Sequence, residues 1–309
     1  METIITLNGV TKTFKEMKAV NDVAFTIKKG EIVAILGPNG AGKTTTIMMM
    51  LGLLQPSKGE VTLFGSQPKD KKVKERIGTM LQEVSVIDAL TVREILQLFR
   101  SYYPKSLSIH ELVTLTGLNE EDLKKRADKL SGGQKRRLSF ALALAGNPDL
   151  LFFDEPTVGM DISSRRKFWN TVKELQSKGK TIVFTTHYLQ EADDAADRII
   201  LFQKGKVIAD GTPVEIKSKL SRHTVSFVPG QYAPSFNDLR SISSITEVYQ
   251  KGDRCYLVTN NSDVVLTEIF NRKLDVKEIL VESGRLDEAF EQLTAQEGAD
   301  VIENVNDAV

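Results

Sequence analysis

Gly37-Pro38-Asn39-Gly40-Ala41-Gly42-Lys43-Thr44 follows an apolar run, Ile32 to Leu36, and leads into a helix-forming stretch from Thr45 to Leu54. A strand that enters a glycine-rich turn and leaves it as a helix is a nucleotide phosphate site. The glycines let the backbone curl until successive N–H groups face the β- and γ-phosphates. Lys43 reaches between those phosphates, and the hydroxyl of Thr44 is placed to ligate Mg²⁺. Pro38, Asn39, Ala41 and Thr45 belong to the same loop and helix start and count with the binding residues.

Around this stretch, 309 residues with 41% apolar content predict about two soluble globular domains with ample material for cores. Lys plus Arg equals Asp plus Glu at 41 each, so net charge gives no case for nucleic acid as the principal partner. The single cysteine, Cys255, excludes an internal disulfide framework and sits in a Tyr/Leu/Val-rich run that reads as buried, in a reducing compartment. No window approaches 18 uninterrupted apolar residues, and Met1 to Leu7 lacks the basic and long apolar regions of a signal peptide. The expectation is a polypeptide that does not span a membrane yet is free to dock on a membrane protein.

The pattern along the chain is α/β. Strands are expected at Ile4 to Leu7, Ala19 to Ile27, Ile32 to Leu36, Gly59 to Phe64 and Ile77 to Leu81. From Thr91 to Lys125 the apolar period changes to about 3.6, which marks a helical insert, about 84–145, between sheet elements. Ser131 with Gln134 three residues on forms a capping box before another helix. Alternation then resumes with Leu150 to Phe153, Ser163 to Gln176, Thr181 to Thr185, Tyr188 to Ala196 and Ile199 to Phe202, which argues for a mostly parallel core sheet. A hairpin at Gly205-Lys206 and a short helix opened by Pro213 close residues 1–220. A small accessory domain spans 221–295, with strands expected at Thr224 to Val228, Ile245 to Tyr249, Cys255 to Thr259 and Val264 to Thr267. The tail 296–309 carries four acidic residues and no basic one and reads as disordered.

Leu150 to Phe153 ends in Asp154-Glu155, which places Asp154 at the carboxyl edge of a buried strand beside the glycine-rich loop, able to hold Mg²⁺ through water. Glu155 is then near the γ-phosphate, where a carboxylate orients and polarises an attacking water. Gln82, after its strand, offers an amide oxygen to Mg²⁺ or that water. His187, after Thr181 to Thr185, lies on the same edge, where open α/β sheets bind substrates, and can donate to a γ-phosphate oxygen.

Leu130-Ser131-Gly132-Gly133-Gln134 is identical to the signature of the ATP-binding subunits of ABC transporters, and over residues 1 to about 215 the chain resembles that family. The resemblance implies a P-loop NTPase fold of the ABC type, with a mostly parallel core sheet, an antiparallel β subdomain, a helical subdomain and a small α+β C-terminal domain. It implies an active ATPase, with ATP and Mg²⁺, that pairs head to tail with a second ATPase subunit, here as a homodimer. Ser131, Gly132, Gly133 and Gln134 count by this resemblance with the ATP-binding residues, and the Ser131 hydroxyl and the N–H groups of Gly132 and Gly133, at a positive helix end, would close over ATP held by the partner. By the same resemblance Gln82 is the Q-loop glutamine, Glu155 the catalytic base, His187 the switch histidine, Asp161 of Gly159-Met160-Asp161 a residue that crosses the dimer interface, and Phe14 the ring stacked on adenine. Met160 departs from the usual leucine and keeps its bulk.

Lys135-Arg136-Arg137 reads as a solvated helix face and is given no catalytic part. The C-terminal extension, with Glu278 to Thr294, resembles that of subunits serving ABC-2 type integral membrane permeases, which export drugs, antibiotics, lipids, polysaccharides or, in some cases, sodium. Glu282 to Phe290 follows the family's segment there only loosely and lacks its proline. The implied location is the cytoplasmic face of the cell membrane, reached through the permease. Two rivals fare less well. Translation factors of the ABC type usually carry two cassettes and repair ATPases a long coiled coil, whereas this chain has one cassette and no sustained heptads; a metabolic kinase leaves Leu130 to Gln134 unexplained.

Overall fold

The computed structural model describes residues 2–81, 89–220, 223–230 and 234–282. By contact the chain divides into two units, Met1–Thr212 and Pro213–Val309, so the helix opened by Pro213 groups with the second unit rather than the first.

The first unit runs β1 (Thr3–Phe14), β2 (Met17–Lys28), β3 (Ile32–Leu36), α1 (Lys43–Met50), β4 (Lys58–Leu63), α2 (Lys71–Lys74) and β5 (Ile77–Met80). The helical insert follows with α3 (Val92–Ser101), α4 (Ile109–Thr116), α5 (Glu120–Lys124) and α6 (Gly132–Leu144). Then come β6 (Leu150–Asp154), α7 (Ile162–Ser177), β7 (Thr181–Thr185), α8 (Leu189–Ala195), β8 (Arg198–Gln203) and β9 (Lys206–Gly211). The core sheet has the order β5-β6-β7-β3-β8-β9, parallel except for the β8–β9 hairpin. Strands buried on both faces explain why β3, β6 and β7 read as near-continuous apolar runs.

On one face of that sheet the antiparallel sheet β2-β1-β4 closes a core containing Ile5, Val10, Val23, Val33, Ile35, Ile47, Met50, Leu63 and Phe202. On the other, rings chain α6 and α7 to the strands: Phe140 lies 5.7 Å from Phe153 and 4.8 Å from Phe168, and Trp169 lies 4.6 Å from Phe184. Each fully buried ring contributes about 1.5–3 kcal/mol by leaving water. These contacts fix both helices against β6 and β7, the strands that deliver Asp154 and His187.

The second unit runs α9 (Pro213–Leu220), β10 (His223–Pro229), α10 (Phe236–Arg240), β11 (Ile245–Lys251), β12 (Arg254–Thr259), α11 (Ser262–Asn271) and β13 (Val276–Glu282). Its antiparallel sheet, β11-β12-β10-β13, is a split βαβ arrangement around Val225, Phe227, Leu257, Val265 and Ile269. Cys255 is buried there, and burial pushes its thiol up. Val264 to Thr267, expected as a strand, lies inside α11. Asn261 caps that helix by accepting from the N–H groups of Asp263 and Val264, and Val265 and Ile269 bury one face at helical spacing. The acidic tail 296–309, and Ser283 to Phe290 of the extension, lie outside the described residues.

Candidate functional site

The glycine-rich turn joins buried β3 to α1 through three residues at positive φ: Gly37 at 152°, Gly40 at 80° and Gly42 at 100°. At Gly42 there is no room for a side chain, since an added Cβ would stand 2.5 Å from the Ala19 carbonyl oxygen; at Gly37 one would stand 2.3 Å from that of Phe202. The turn is thus packed to backbone on its inner side, while its outer side at Gly40 is open. α1 starts at Lys43, so its first N–H groups have no partner within the helix and face outward, and Thr44 is exposed beside them. Lys43 Nζ donates to the carbonyls of Gly37 at 2.6 Å and Pro38 at 3.0 Å, folding back over the loop. Burial pulls its ammonium below the ordinary value, and the charges of Glu155 and Asp154 oppose that.

Asp154 ends β6, but it is not next to the strand of the glycine-rich turn, because β7 lies between β6 and β3. Thr185, at the end of β7, links the two: its hydroxyl donates to Asp154 Oδ1 and, with its own carbonyl, accepts from the Glu155 N–H at 3.1 and 3.2 Å. Glu155 Oε1 stands 3.1 Å from His187 Nδ1. The His187 ring packs 4.4 Å from that of Tyr188, whose own ring is covered by the Arg165 guanidinium at 4.5 Å. Phe14, at the end of β1, is 44% exposed, with Lys12 Nζ 5.2 Å from its ring centroid, and presents an accessible stacking surface.

Ser131 caps α6 as expected. Its hydroxyl accepts from the Gln134 N–H at 3.3 Å, and Gln134 Oε1 accepts from the Ser131 N–H at 2.9 Å. The Gln134 amide nitrogen donates to buried Asp122 at 2.6 Å, so this side chain anchors the helix start to α5. Ser131 and Gly133 line a groove of about 720 Å³ together with Gly159, Met160 and Asp161. Lys43, Asp154, Glu155 and His187 do not line that groove.

The structure therefore gathers Lys43, Asp154, Glu155 and His187 at the carboxyl edge of the parallel strands, with Thr44 opening the helix there, and holds the signature segment with Asp161 in a different place. Gln82 lies outside the described residues. Two residues escaped the sequence. Thr185 matters only because β7 is the middle strand. Arg136, expected on a solvated face, is 7% exposed and donates through Nε to the Pro156 carbonyl at 2.9 Å and through Nη2 to the Glu155 carbonyl. Its spacing from Phe140 and Leu144 on the buried side of α6 is the signal that could have revealed it.

The donor set fits Mg²⁺. Among the described residues no three His, Cys, Asp or Glu cluster as a self-sufficient cage. One strand-end carboxylate and one helix-start hydroxyl suit an ion that keeps its waters and is shared with substrate phosphates.

Residues 20–158 match the protein-family profile described as ABC transporter. The chain is 34% identical over 261 residues to a Nod factor export ATP-binding protein I of Burkholderia orbicola, covering 82% of this chain and 86% of that one. Over 225 residues it is 39% identical to a probable multidrug ABC transporter ATP-binding protein of Escherichia coli, covering 71% of this chain and 39% of the longer relative. Among solved structures, a dimeric ATP-binding cassette in a post-hydrolysis state with ADP and Pi superposes with a TM-score of 0.63 at 31% identity, over 68% of this chain and 99% of that one.

Proposed function

The chain belongs to the ABC transporter family as an ATP-binding subunit, and from that premise we propose that it drives export as a head-to-tail homodimer coupled to a separate ABC-2 type membrane permease. It is an ATPase. The observation that carries the dimer is the division of the site: the phosphate loop, Asp154, Glu155 and His187 stand together, while Ser131 and Gly133 share another groove with Asp161. A second copy supplies the missing half.

In this reading ATP stacks on Phe14, and its phosphates lie against the N–H groups of the turn from Gly37 to Thr44 and of Thr45. Lys43 leaves the Gly37 and Pro38 carbonyls for the β- and γ-phosphates, a charge-assisted exchange that favours the bound state. Thr44 and, through water, Asp154 and Gln82 would hold Mg²⁺, which would supply charge that neutralises the phosphates. Ser131, Gly132 and Gly133 of the partner copy cover the remaining face of the γ-phosphate and exclude bulk water. Glu155 takes a proton from the attacking water, and His187 donates to the γ-phosphate oxygen, so cleavage removes a contact that holds the two copies together.

The names of the two relatives support export, and drugs, antibiotics and lipids are the substrate classes proposed. Among the described residues no helix is long and apolar enough to cross a membrane. The location proposed is the cytoplasmic face of the cell membrane, reached through the permease. Phosphate release from the purified chain, with and without Mg²⁺, together with copurification of a coexpressed ABC-2 type permease, tests this. Mg²⁺-dependent release and a stable complex support it. Release without any such complex, from a chain that stays monomeric with ATP, overturns the transport assignment.

A further inference from the structure

We propose that Arg136 is a positioning residue for hydrolysis, whose guanidinium fork holds the main chain of Glu155 in the conformation that aims its carboxylate; this rests on the role proposed above for Glu155.

Glu155 has φ of 48°, in the left-handed region that residues other than glycine rarely occupy. It also precedes Pro156, a place where extended backbone is ordinarily favoured. Such a conformation is strained and persists only where its surroundings impose it. On its amino side the N–H is bonded to Thr185. On its carboxyl side Arg136 takes two successive carbonyls, of Glu155 and Pro156, on two arms of one rigid plane. A planar fork reads the orientation of both peptide groups together, which one point charge does not.

Keeping a guanidinium buried is costly unless its donors are used. Burial pulls Arg136 below its ordinary value, and the charges of Glu155 and Asp154 oppose that, so these neighbouring carboxylates favour the charged guanidinium. The side chain comes from the second turn of α6, whose position is fixed by the ring contacts of Phe140 with Phe153 and Phe168. Its anchor is therefore rigid, and from it the guanidinium reaches the main chain of Glu155 and Pro156.

The test is steady-state ATP turnover and binding of a fluorescent ATP analogue by the full chain carrying Arg136→Ala, Arg136→Lys or Lys135→Ala, with Glu155→Gln measured alongside. Arg136→Ala is expected to lower kcat about 10- to 100-fold, the scale of a misplacement of about 1 Å, with KM and analogue affinity within about threefold of the parent. Arg136→Lys recovers part of the loss, and Lys135→Ala stays within about twofold. Added to Glu155→Gln, Arg136→Ala lowers residual turnover by less than about twofold, because the group it positions is already gone. A folded Arg136→Ala protein with parental kcat, a loss of affinity in proportion to kcat, or full additivity with Glu155→Gln overturns the proposal. If Arg136→Ala does not fold, Arg136→Lys carries the same comparison, with a lowered kcat at parental affinity expected. Turnover by Glu155→Gln equal to the parent instead overturns the role of Glu155 itself.

Discussion

His187 Nδ1 stands 3.1 Å from Glu155 Oε1, which joins the residues that follow β7 and β6 across the mouth of the phosphate loop. In the function proposed above, His187 exchanges this carboxylate partner for a γ-phosphate oxygen. His187→Ala should lower turnover about 10²- to 10³-fold, the usual loss when one preorganised donor to developing charge is removed. ATP affinity should change by less than about threefold, because the contact matters chiefly at the attack step. Phosphate release and analogue titration on the same preparation check both.

Lys43→Met should raise the Kd for ATP by about 10- to 100-fold, since a charge-assisted contact to phosphate is lost. Its pH behaviour has a definite sign. The ammonium sits below its ordinary 10.5 because of burial, so it loses its charge earlier than a free lysine as pH rises. ATP affinity of the parent should therefore fall on the alkaline side before that ordinary value is reached, and Lys43→Met should lack this limb. Titrations across alkaline pH compare the two proteins.

Gly42→Ala and Gly40→Ala should separate packing from strain. At Gly42 a Cβ meets the Ala19 carbonyl oxygen at 2.5 Å, whereas at Gly40 it meets nothing within 4 Å, although both positions have positive φ. Gly40→Ala is expected to cost about 1 kcal/mol from backbone strain alone, and Gly42→Ala several-fold more with loss of ATP binding. Urea denaturation ranks them, and equal destabilisation would contradict the account of the turn.

Much of this was legible in the chain. β3 and β7 are recovered at their limits because Ile32 to Leu36 is an unbroken apolar run and Ile182 to Phe184 is an apolar run between two β-branched threonines, and the Ser131–Gln134 box is a local signal in the sequence. The role of Thr185 was not legible, because it depends on β7 lying between β3 and β6, a non-local fact of strand order. α11 was misread because Val264, Val265 and Thr267 favour strand locally, whereas the Asn261 cap and burial of Val265 and Ile269 decide for helix. β13 was missed because Lys277-Glu278 interrupts its apolar pattern, and Glu278 itself sits at φ 50°.

Asp161 caps α7 by accepting from the Ser164 N–H at 2.8 Å and hydroxyl at 2.7 Å, and these bonds hold its carboxyl below the ordinary 3.8. A depressed carboxyl contributes stability that is complete above the ordinary value and is lost as pH falls through the lower folded value. Asp161→Ala should therefore lower Tm at neutral pH, and the gap to the parent should close as pH falls below about 4. Thermal melts at several pH values check it; a gap that widens toward acid would contradict the capping role.

Light scattering after size-exclusion chromatography of the Glu155→Gln chain, with and without ATP, is the most direct test of the divided site. Trapped ATP is expected to double the mass of a monomer, and Ser131→Arg in the same background should abolish the doubling by blocking the segment that the partner contributes. A monomer that binds ATP tightly yet keeps its mass would contradict a site completed by a second copy of this chain.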